Sequence, residues 1–448
     1  MTEQTNLQLP KGWKYDKLGK VCKTTSGGTP SRKNKSFYEG DIPWIKSGEL
    51  NSIQILDSEE KISKEAIENS SAKIFPKGTL LIALYGATIG KLGILGIDAA
   101  TNQAICGIYK NEKIETKFLY WYLFSKRPYL IEQGIGGAQP NISQTILKEL
   151  EIPLSPLPEQ HRIVAKIEEL FSELDKAAEN LQTARQQLKI YRQSVLKHAF
   201  EGKLTAAWRE SLKFKNESLK LAAEPESIYQ TQNGLPEGWE WKEFGTFISR
   251  ITAGKSVKCI ERPPVEDELG IVKVSAVSWG NFKEEESKTT DYSKYNENYI
   301  IKKDDFLFSR ANTIELVGAC VLVNNINLKL MLSDKILRFD FRDISKKYAL
   351  YYLRSPIGRK NIEELATGNQ DSMRNISQAN INRIIIPFCP IDKQHQIVAE
   401  IEKRFSEADK LEESIETALR QTEALRQSIL KKAFAGKLVA NDENKAGE

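Results

Sequence analysis

Between Gln160 and Phe200 apolar residues fall at Ile163, Ile167, Leu170, Leu174, Ala177, Leu181, Ala184, Leu188, Tyr191 and Val195, in alternating steps of four and three. This is the a/d seam of a coiled coil, sustained for about five heptads. Pro156 and Pro158 are expected to bar an earlier helix start, and Gly202 stands where a helix would stop. The predicted rod is roughly 60 Å long at 1.5 Å per residue. A two-residue-wide apolar stripe cannot be left in water, so the helix needs a partner. That partner is in the same chain. From Ile386-Pro387 to Gly436-Lys437-Leu438 the sequence repeats the stretch from Ile152-Pro153 to Gly202-Lys203-Leu204 without a gap, and about half of the aligned positions are identical. The second seam reads Ile397, Ile401, Arg404, Ala408, Leu411, Ile415, Ala418, Thr422, Leu425 and Ile429. Arg404 and Thr422 replace Leu170 and Leu188 of the first copy, so the second helix would pair poorly with itself. The chain is an internal duplication, and the two helices are expected to pair with each other.

The duplication extends to the segments before each helix. LPKGWKYDKLGKV, Leu9 to Val21, returns as LPEGWEWKEFGTF, Leu235 to Phe247. A turn-rich basic stretch, Thr25 to Gly40, carries Gly27-Gly28, Pro30, Arg32, Lys33 and Lys35 and reads as a loop. Ile42 to Leu50 predicts a short buried strand and a turn, matched by Gly270 to Trp279, with Lys46 aligned to Lys273. Lys77 to Gly96 is β-rich with glycine bends and corresponds to Lys303 to Leu322. Aromatic amphipathic helices are predicted over Thr116–Arg127 and Lys347–Arg354, their aromatic stripes facing a core. Both copies end in a Gly-rich loop and the string Asn-Ile-Ser-Gln, at Asn141 and Asn375, followed by a β-like run and prolines. Residues 205 to 233 read as a polar connector, and 441–448 as a disordered tail.

Composition narrows the class. The chain has 448 residues and a formal charge of +5, which permits an anionic partner without demanding one. No apolar run reaches membrane-spanning length and no signal peptide is visible, so the expected compartment is the cytoplasm. The five cysteines are scattered, with no Cys-x-x-Cys pair, so neither a zinc site nor a disulfide framework is expected. GATIGK, Gly86 to Lys91, lacks the spacing of a phosphate loop, and Leu92 stands where a Ser or Thr is needed. Gly134 to Gly137 follows a helix rather than a strand, unlike a dinucleotide fingerprint. His161 and His395 share one repeat position and are assigned a packing or hydrogen-bonding role. No catalytic triad, paired-acid site or metal cluster stands out.

If the termini of the second globular unit lie close together, as domain termini often do, the two helices run antiparallel. The expectation is a dumb-bell with a pseudo-twofold axis and two similar heads at fixed separation, suited to a two-part target such as two half-sites on DNA.

The strings PLPEQHRIVAKIEELFSELD and PIDKQHQIVAEIEKRFSEAD, the twin AF-x-GKL at Ala199 and Ala433, and GGTPSRKNKSFYEGDIPWIKSGEL resemble the specificity subunits of Type I restriction–modification systems, across essentially the whole chain. The resemblance implies an α+β fold: an internal duplication of two target recognition domains held apart by two long helices in an antiparallel, pseudo-twofold coiled coil. The expected parts are a first target recognition domain at 1–156, a central helix at 157–206, a connector and second target recognition domain at 207–390, a C-terminal helix at 391–440, and the tail. It further implies a non-catalytic subunit that reads bipartite double-stranded DNA. Its partners would be two methylation subunits and two motor/nuclease restriction subunits, with no cofactor of its own. The second head departs from the pattern: SRITAGKSVKCIERPPVEDELG replaces the GGTPS loop, and SRANTIE replaces ALYGATIG, so the heads are expected to read different half-sequences. Polar and basic loop residues are the candidate DNA contacts. They are Arg32, Lys33, Lys35, Lys46, Tyr85, Thr88, Lys91 and Gln139 in the first head, and Lys255, Lys258, Lys273, Arg310, Asn312, Gln370 and Arg374 in the second. Two other functions fit the architecture: specificity partner of a stand-alone DNA methyltransferase, and a coiled-coil scaffold that binds proteins instead of DNA.

Overall fold

The computed structural model describes residues 10–134, 140–206, 235–370 and 373–439. The connector and the tail lie almost entirely outside them. The chain divides into two compact units, Met1–Gln182 with Glu416–Glu448, and Thr183–Ile415. The long helices are continuous, Leu157–Phe200 and Ile391–Phe434, and each contributes residues to both units. Pro158 does not delay the first helix, which starts at Leu157. Its missing N–H falls in the first turn, where no intrahelical acceptor exists for it.

In the first unit, the opening Leu-Pro-x-Gly-Trp string makes a tight turn. Trp13 N donates to Pro10 O at 3.1 Å, and Gly12 supplies the positive φ of 86° that a type II turn requires at its third position. Strand Lys14–Lys17 then pairs antiparallel with Glu151–Leu154, which leads into the first long helix. Ahead of that strand the sequence suggested a longer β run; Gln144–Glu149 is instead a short helix, capped by the Ser143 hydroxyl. The head holds a five-stranded sheet that includes Leu80–Ala83, Leu92–Leu95 and Ile105–Ile108, and a four-stranded sheet that includes Ile42–Ile45 and Ala99–Thr101. The second unit repeats the frame. Trp239 N donates to Pro236 O, and Glu240–Glu243 pairs antiparallel with Ile385–Phe388. Its head has sheets of four, four and three strands.

The aromatic helices are core elements, as their stripe predicted. In the first unit, Thr116–Ser125 buries Phe118, Trp121 and Tyr122. Phe434, from the end of the second long helix, packs edge-on against Phe118 and Tyr122 at centroid distances of 5.3 and 5.1 Å. In the second unit, Lys346–Arg354 buries Tyr348 and Tyr352, and Phe200, from the end of the first long helix, packs against both at 5.2 Å. The residues that follow lock this arrangement. Gly436 and Gly202 have positive φ, 67° and 72°, and close the helix ends. A Cβ added to Gly436 would lie 2.1 Å from Pro10 Cγ, and one added to Gly202 would lie 2.1 Å from Pro236 Cγ. The AF-x-GKL string and the Leu-Pro-x-Gly-Trp string are therefore two halves of one joint, made once in each unit.

Within each unit the two long helices are antiparallel. In the first, Arg426 of the second helix pairs with Asp175 of the first and lies 5.0 Å from the centre of the Phe171 ring. In the second, with the helices' roles exchanged, Arg192 pairs with Asp409 at 2.7 Å and lies 5.5 Å from the Phe405 ring centre. The seam itself is only partly closed. Ile163, Ile167, Val195, Ile397, Ile401 and Ala408 are buried, whereas Tyr191, Leu411 and Leu425 are 39, 56 and 51 % exposed. A straight α-helix drifts from a 3.5-residue repeat by about 20° per heptad, so a strict a/d stripe cannot stay covered by one partner along its length. Toward the helix ends the buried face is wider, with Val164, Phe171, Leu196 and Val398 buried against the heads.

The histidines of the shared Gln-His string face solvent, and their neighbours do the bonding. Gln160 is fully buried; its Oε1 accepts from Glu115 N, ahead of the aromatic helix, while its Nε2 donates to Ser155 O. Gln394 repeats this with Ser345 N and Cys389 O. The joint predicts its own weak point. Phe434→Ala should destabilise the chain by about 3–5 kcal/mol in chemical denaturation, through lost burial and the cavity left beside the Phe118 and Tyr122 rings. Gly436→Ala should cost more than about 1 kcal/mol, since both the positive φ and Pro10 oppose a Cβ.

Candidate nucleic-acid interface

Both heads present a loop at the end of a buried strand, fixed in the same way by the Asn-Ile-Ser string. In the first head the strand is Leu80–Ala83; Leu84 O accepts from Ile142 N at 2.9 Å, and Gly86 N donates to Pro140 O at 2.8 Å. In the second the strand is Phe306–Ser309, and Arg310 O accepts from Ile376 N at 2.9 Å. Ile142 and Ile376 are fully buried plugs, and the next serine caps a short helix in each case, Ser143 at Ile146 N and Ser377 at Asn380 N. A rigid apolar anchor thus carries a polar loop to the surface.

In the first head, Arg32 and Lys46 share an acidic partner, and Lys91 reaches the segment that follows Lys46. Lys46 Nζ reaches Glu59 at 2.9 Å and Glu60 at 3.2 Å. Arg32 pairs with Glu60 at 2.6 Å, and its guanidinium lies 4.1 Å from the Tyr38 ring centre and 5.3 Å from that of Trp44. Lys91 Nζ donates to Asn51 Oδ1 at 2.7 Å. Thr88 lies in the adjoining turn, where its hydroxyl donates to Tyr85 O. The glycine-rich stretch is a fixed strap: Trp44 Nε1 donates to Gly28 O, and Tyr38 OH to Pro30 O. Lys33 and Lys35 are exposed beside it. Tyr85, 43 % exposed, forms a β-bridge with Asn141. Gln139 lies outside the described residues.

In the second head, four candidates meet on a small three-stranded sheet. Its central strand, Met373–Asn375, pairs with Ala311–Asn312 on one side and Thr367–Gln370 on the other. Asn312 lies opposite Arg374, Gln370 lies opposite Met373, and Arg310 Nε donates to Asn375 Oδ1 at 3.5 Å. Lys255, Lys258 and Lys273 belong to another part of the head. Lys255 and Lys258 are exposed ahead of strand Cys259–Ile260, and half-buried Lys273 precedes the turn Val274–Ala276. That strand is at the edge of a different four-stranded sheet.

Three features escaped the sequence reading. The first is the acidic pair Glu59-Glu60, which holds Arg32 and Lys46. The register that sets Trp44 opposite Glu60 is a pairing no local pattern announces. The second is Met373, 69 % exposed at the start of the strand Met373–Asn375; an apolar residue in a polar stretch is a signal the sequence did contain. The third is the stacked pair Tyr292 and Tyr295, with Lys329 Nζ 5.1 and 4.6 Å from their ring centres. Among the described residues no group of acidic, histidine or cysteine side chains could hold a metal, and no helix is long and apolar enough to cross a membrane.

The family model of the Type I restriction modification DNA specificity domain matches residues 10–183 and 268–421. The EcoKI specificity subunit of Escherichia coli K12 is 26% identical over 448 residues, covering 97% of this chain and 90% of that protein. The MjaVIII specificity subunit of Methanocaldococcus jannaschii is 24% identical, covering 97% and 95%. Among solved structures, a chain from a study of complex assembly and conformational transition in a Type I restriction–modification system has a TM-score of 0.69 at 20% identity, covering 96% of this chain and 100% of that one. The HsdS subunit from Thermoanaerobacter tengcongensis has a TM-score of 0.56 at 21% identity, covering 98% and 100%.

The Arg32–Glu60–Lys46 cluster yields a direct electrostatic test. The hydrogen bond from Arg32, joined by Lys46, holds the Glu60 carboxyl below the usual glutamate range. A depressed folded-state pKa means the pairing is present above the ordinary glutamate pKa and is lost as pH falls through the lowered value. In an NMR carboxyl titration Glu60 should stay ionised to lower pH than an isolated glutamate, and Arg32→Ala should move its midpoint back up. An unmoved midpoint would show that the pair does not persist in solution.

Proposed function

The chain belongs to the family of Type I restriction–modification specificity subunits, and from that premise we propose that each head reads one half of a bipartite double-stranded DNA target. The observation that carries this reading is the doubled loop anchor: the same buried Ile-Ser device holds a loop in both heads, while the polar side chains beside it differ, Tyr85 and Thr88 in one and exposed Gln370 with half-buried Asn312 and Arg374 in the other. Arginine suits guanine and Asn or Gln suits adenine at base edges, whereas exposed lysines such as Lys255 and Lys258 suit phosphate. The chain supplies specificity and not catalysis. Two methylation subunits and two motor/nuclease subunits, acting in the cytoplasm, would use the site it selects. Neither the methyl donor nor ATP has a place in this chain on this reading.

The two long helices are proposed to set the unread spacer between the half-sites. Seven residues can be removed from each at matched positions, Asn180–Gln186 and Ser414–Arg420, without touching the Arg426–Asp175 or Arg192–Asp409 clasps. The deletion keeps the heptad phase and shortens each helix by about 10 Å. On DNA of roughly 34 Å per turn that is on the order of three base pairs. Methylome sequencing should show the same two half-sites with a shorter spacer, or no methylation. Undiminished methylation at the original spacing would end the idea that the helices measure the gap.

A second experiment addresses DNA binding itself. The slope of log affinity against log salt should fall by about 0.9 for each phosphate that is no longer neutralised, so Lys255→Ala and Lys258→Ala should flatten it while leaving the preferred sequence unchanged. Salt-independent binding by the intact chain would instead favour a protein scaffold.

A further inference from the structure

We infer that Met373 is a specificity-determining residue of the second head, making the apolar contact to a thymine 5-methyl group from the start of the central strand of a base-reading β-ribbon. The inference rests on the reading that this head binds DNA, and it goes further by naming a face and a base. Side chains alternate along a strand, so Met373 and Asn375 lie on one face of the central strand and Arg374 on the other. The register adds Gln370, directly opposite Met373, to the first face, and Asn312, opposite Arg374, to the second. Arg310 reaches the first face from its side, through Asn375.

The exposures separate the two faces. Gln370, Met373 and Asn375 are exposed, whereas Asn312 and Arg374 are half-buried. The outer face therefore displays a primary amide, a thioether and a second amide, with the half-buried Arg310 guanidinium at its edge. Met373 is 69 % exposed and belongs to none of the apolar clusters of the unit. A major groove admits a two-stranded ribbon, and its floor offers the partners this row matches: adenine to Gln or Asn, guanine to Arg, and the thymine methyl to an apolar side chain. Methionine is flexible and polarizable, which suits contact with a methyl group whose position shifts with local DNA shape.

The test isolates that methyl group. Methylome sequencing of cells carrying the wild-type chain first defines the target. Duplexes are then made in which each thymine of the second half-site is replaced in turn by uracil, which removes only the 5-methyl. Binding by the full chain in its methylation complex is measured for wild type, Met373→Ala and Met373→Leu. One thymine-to-uracil change should weaken wild-type binding about fourfold, the worth of one buried methylene-sized group. Met373→Ala should lose a similar factor on the thymine duplex and be indifferent to that one change, and Met373→Leu should retain most of the wild-type response. Additive losses at every position, no effect of Met373→Ala, or a second half-site without thymine on either strand would each overturn the assignment. A wild-type complex with no sequence preference would instead refute the underlying DNA-reading function. Thermal unfolding of Met373→Ala should match wild type, since so exposed a side chain contributes little to packing; a lowered transition would count against a role confined to DNA.

Discussion

The burial of one phenylalanine at the end of each long helix is the contact from which the rest of the structure follows. Phe200 and Phe434 are each enclosed by two aromatic rings of a head helix, and each is followed by a left-handed glycine pressed against a proline. The first unit cannot be completed without the last segment of the chain, because Phe434, Leu430 and Ala433 are part of its core. The second unit likewise needs Val195, Leu196, Ala199 and Phe200. A helix thus ends as an integral part of a core, not as an appendage to it. Such helix ends are tied more firmly than their middles, where Leu411 and Leu425 are exposed and the Arg192–Asp409 and Arg426–Asp175 pairs provide register rather than much free energy.

The same economy governs the sites. A recognition loop must be polar and exposed, and it must also be held still. Both heads solve this by inserting Ile142 or Ile376 into the core directly beside the loop and capping the next helix with the adjoining serine. The shared Asn-Ile-Ser string is therefore an anchor. What the loop carries is then free to differ between heads. One presents an aromatic and a threonine in a turn, the other a three-stranded ribbon with amides, arginines and a methionine.

How much of this was legible in the sequence depended on the range of the interaction. Periodicity along one helix, or the recurrence of a string, is local information. It yielded the two long helices, the duplication and the burial of the aromatic stripes, while the antiparallel pairing rested on the expected closeness of a domain's termini. The functional meaning of Gln160 and Gln394 was hidden because a buried amide is recognised by its acceptors and donors, Glu115 and Ser155 or Ser345 and Cys389, which only the fold brings near. The histidines beside them carry the more conspicuous chemistry and face solvent. The candidate DNA contacts divided on the same principle. Arg310, Asn312, Gln370 and Arg374 are brought together by strand register, while Lys255, Lys258 and Lys273 lie in segments beside the strands of a separate sheet.

The partners of the loop cations were not legible from charge alone, for a physical reason. Arg32 and Lys46 looked like free loop cations, yet both are paired with Glu60 and Arg32 also lies over two aromatic rings. A cation already paired contributes less to non-specific attraction for phosphate, since approach to DNA must first weaken the carboxylate contact or carry the carboxylate toward the backbone. The pairing restricts the side chain in return: the Arg32 guanidinium is held by Glu60 and lies over the Tyr38 and Trp44 rings. Net charge of only +5 over 448 residues fits this division. Among the described residues the protein holds some cations in place by carboxylates and rings and leaves others, such as Lys33, Lys35, Lys255 and Lys258, exposed to solvent.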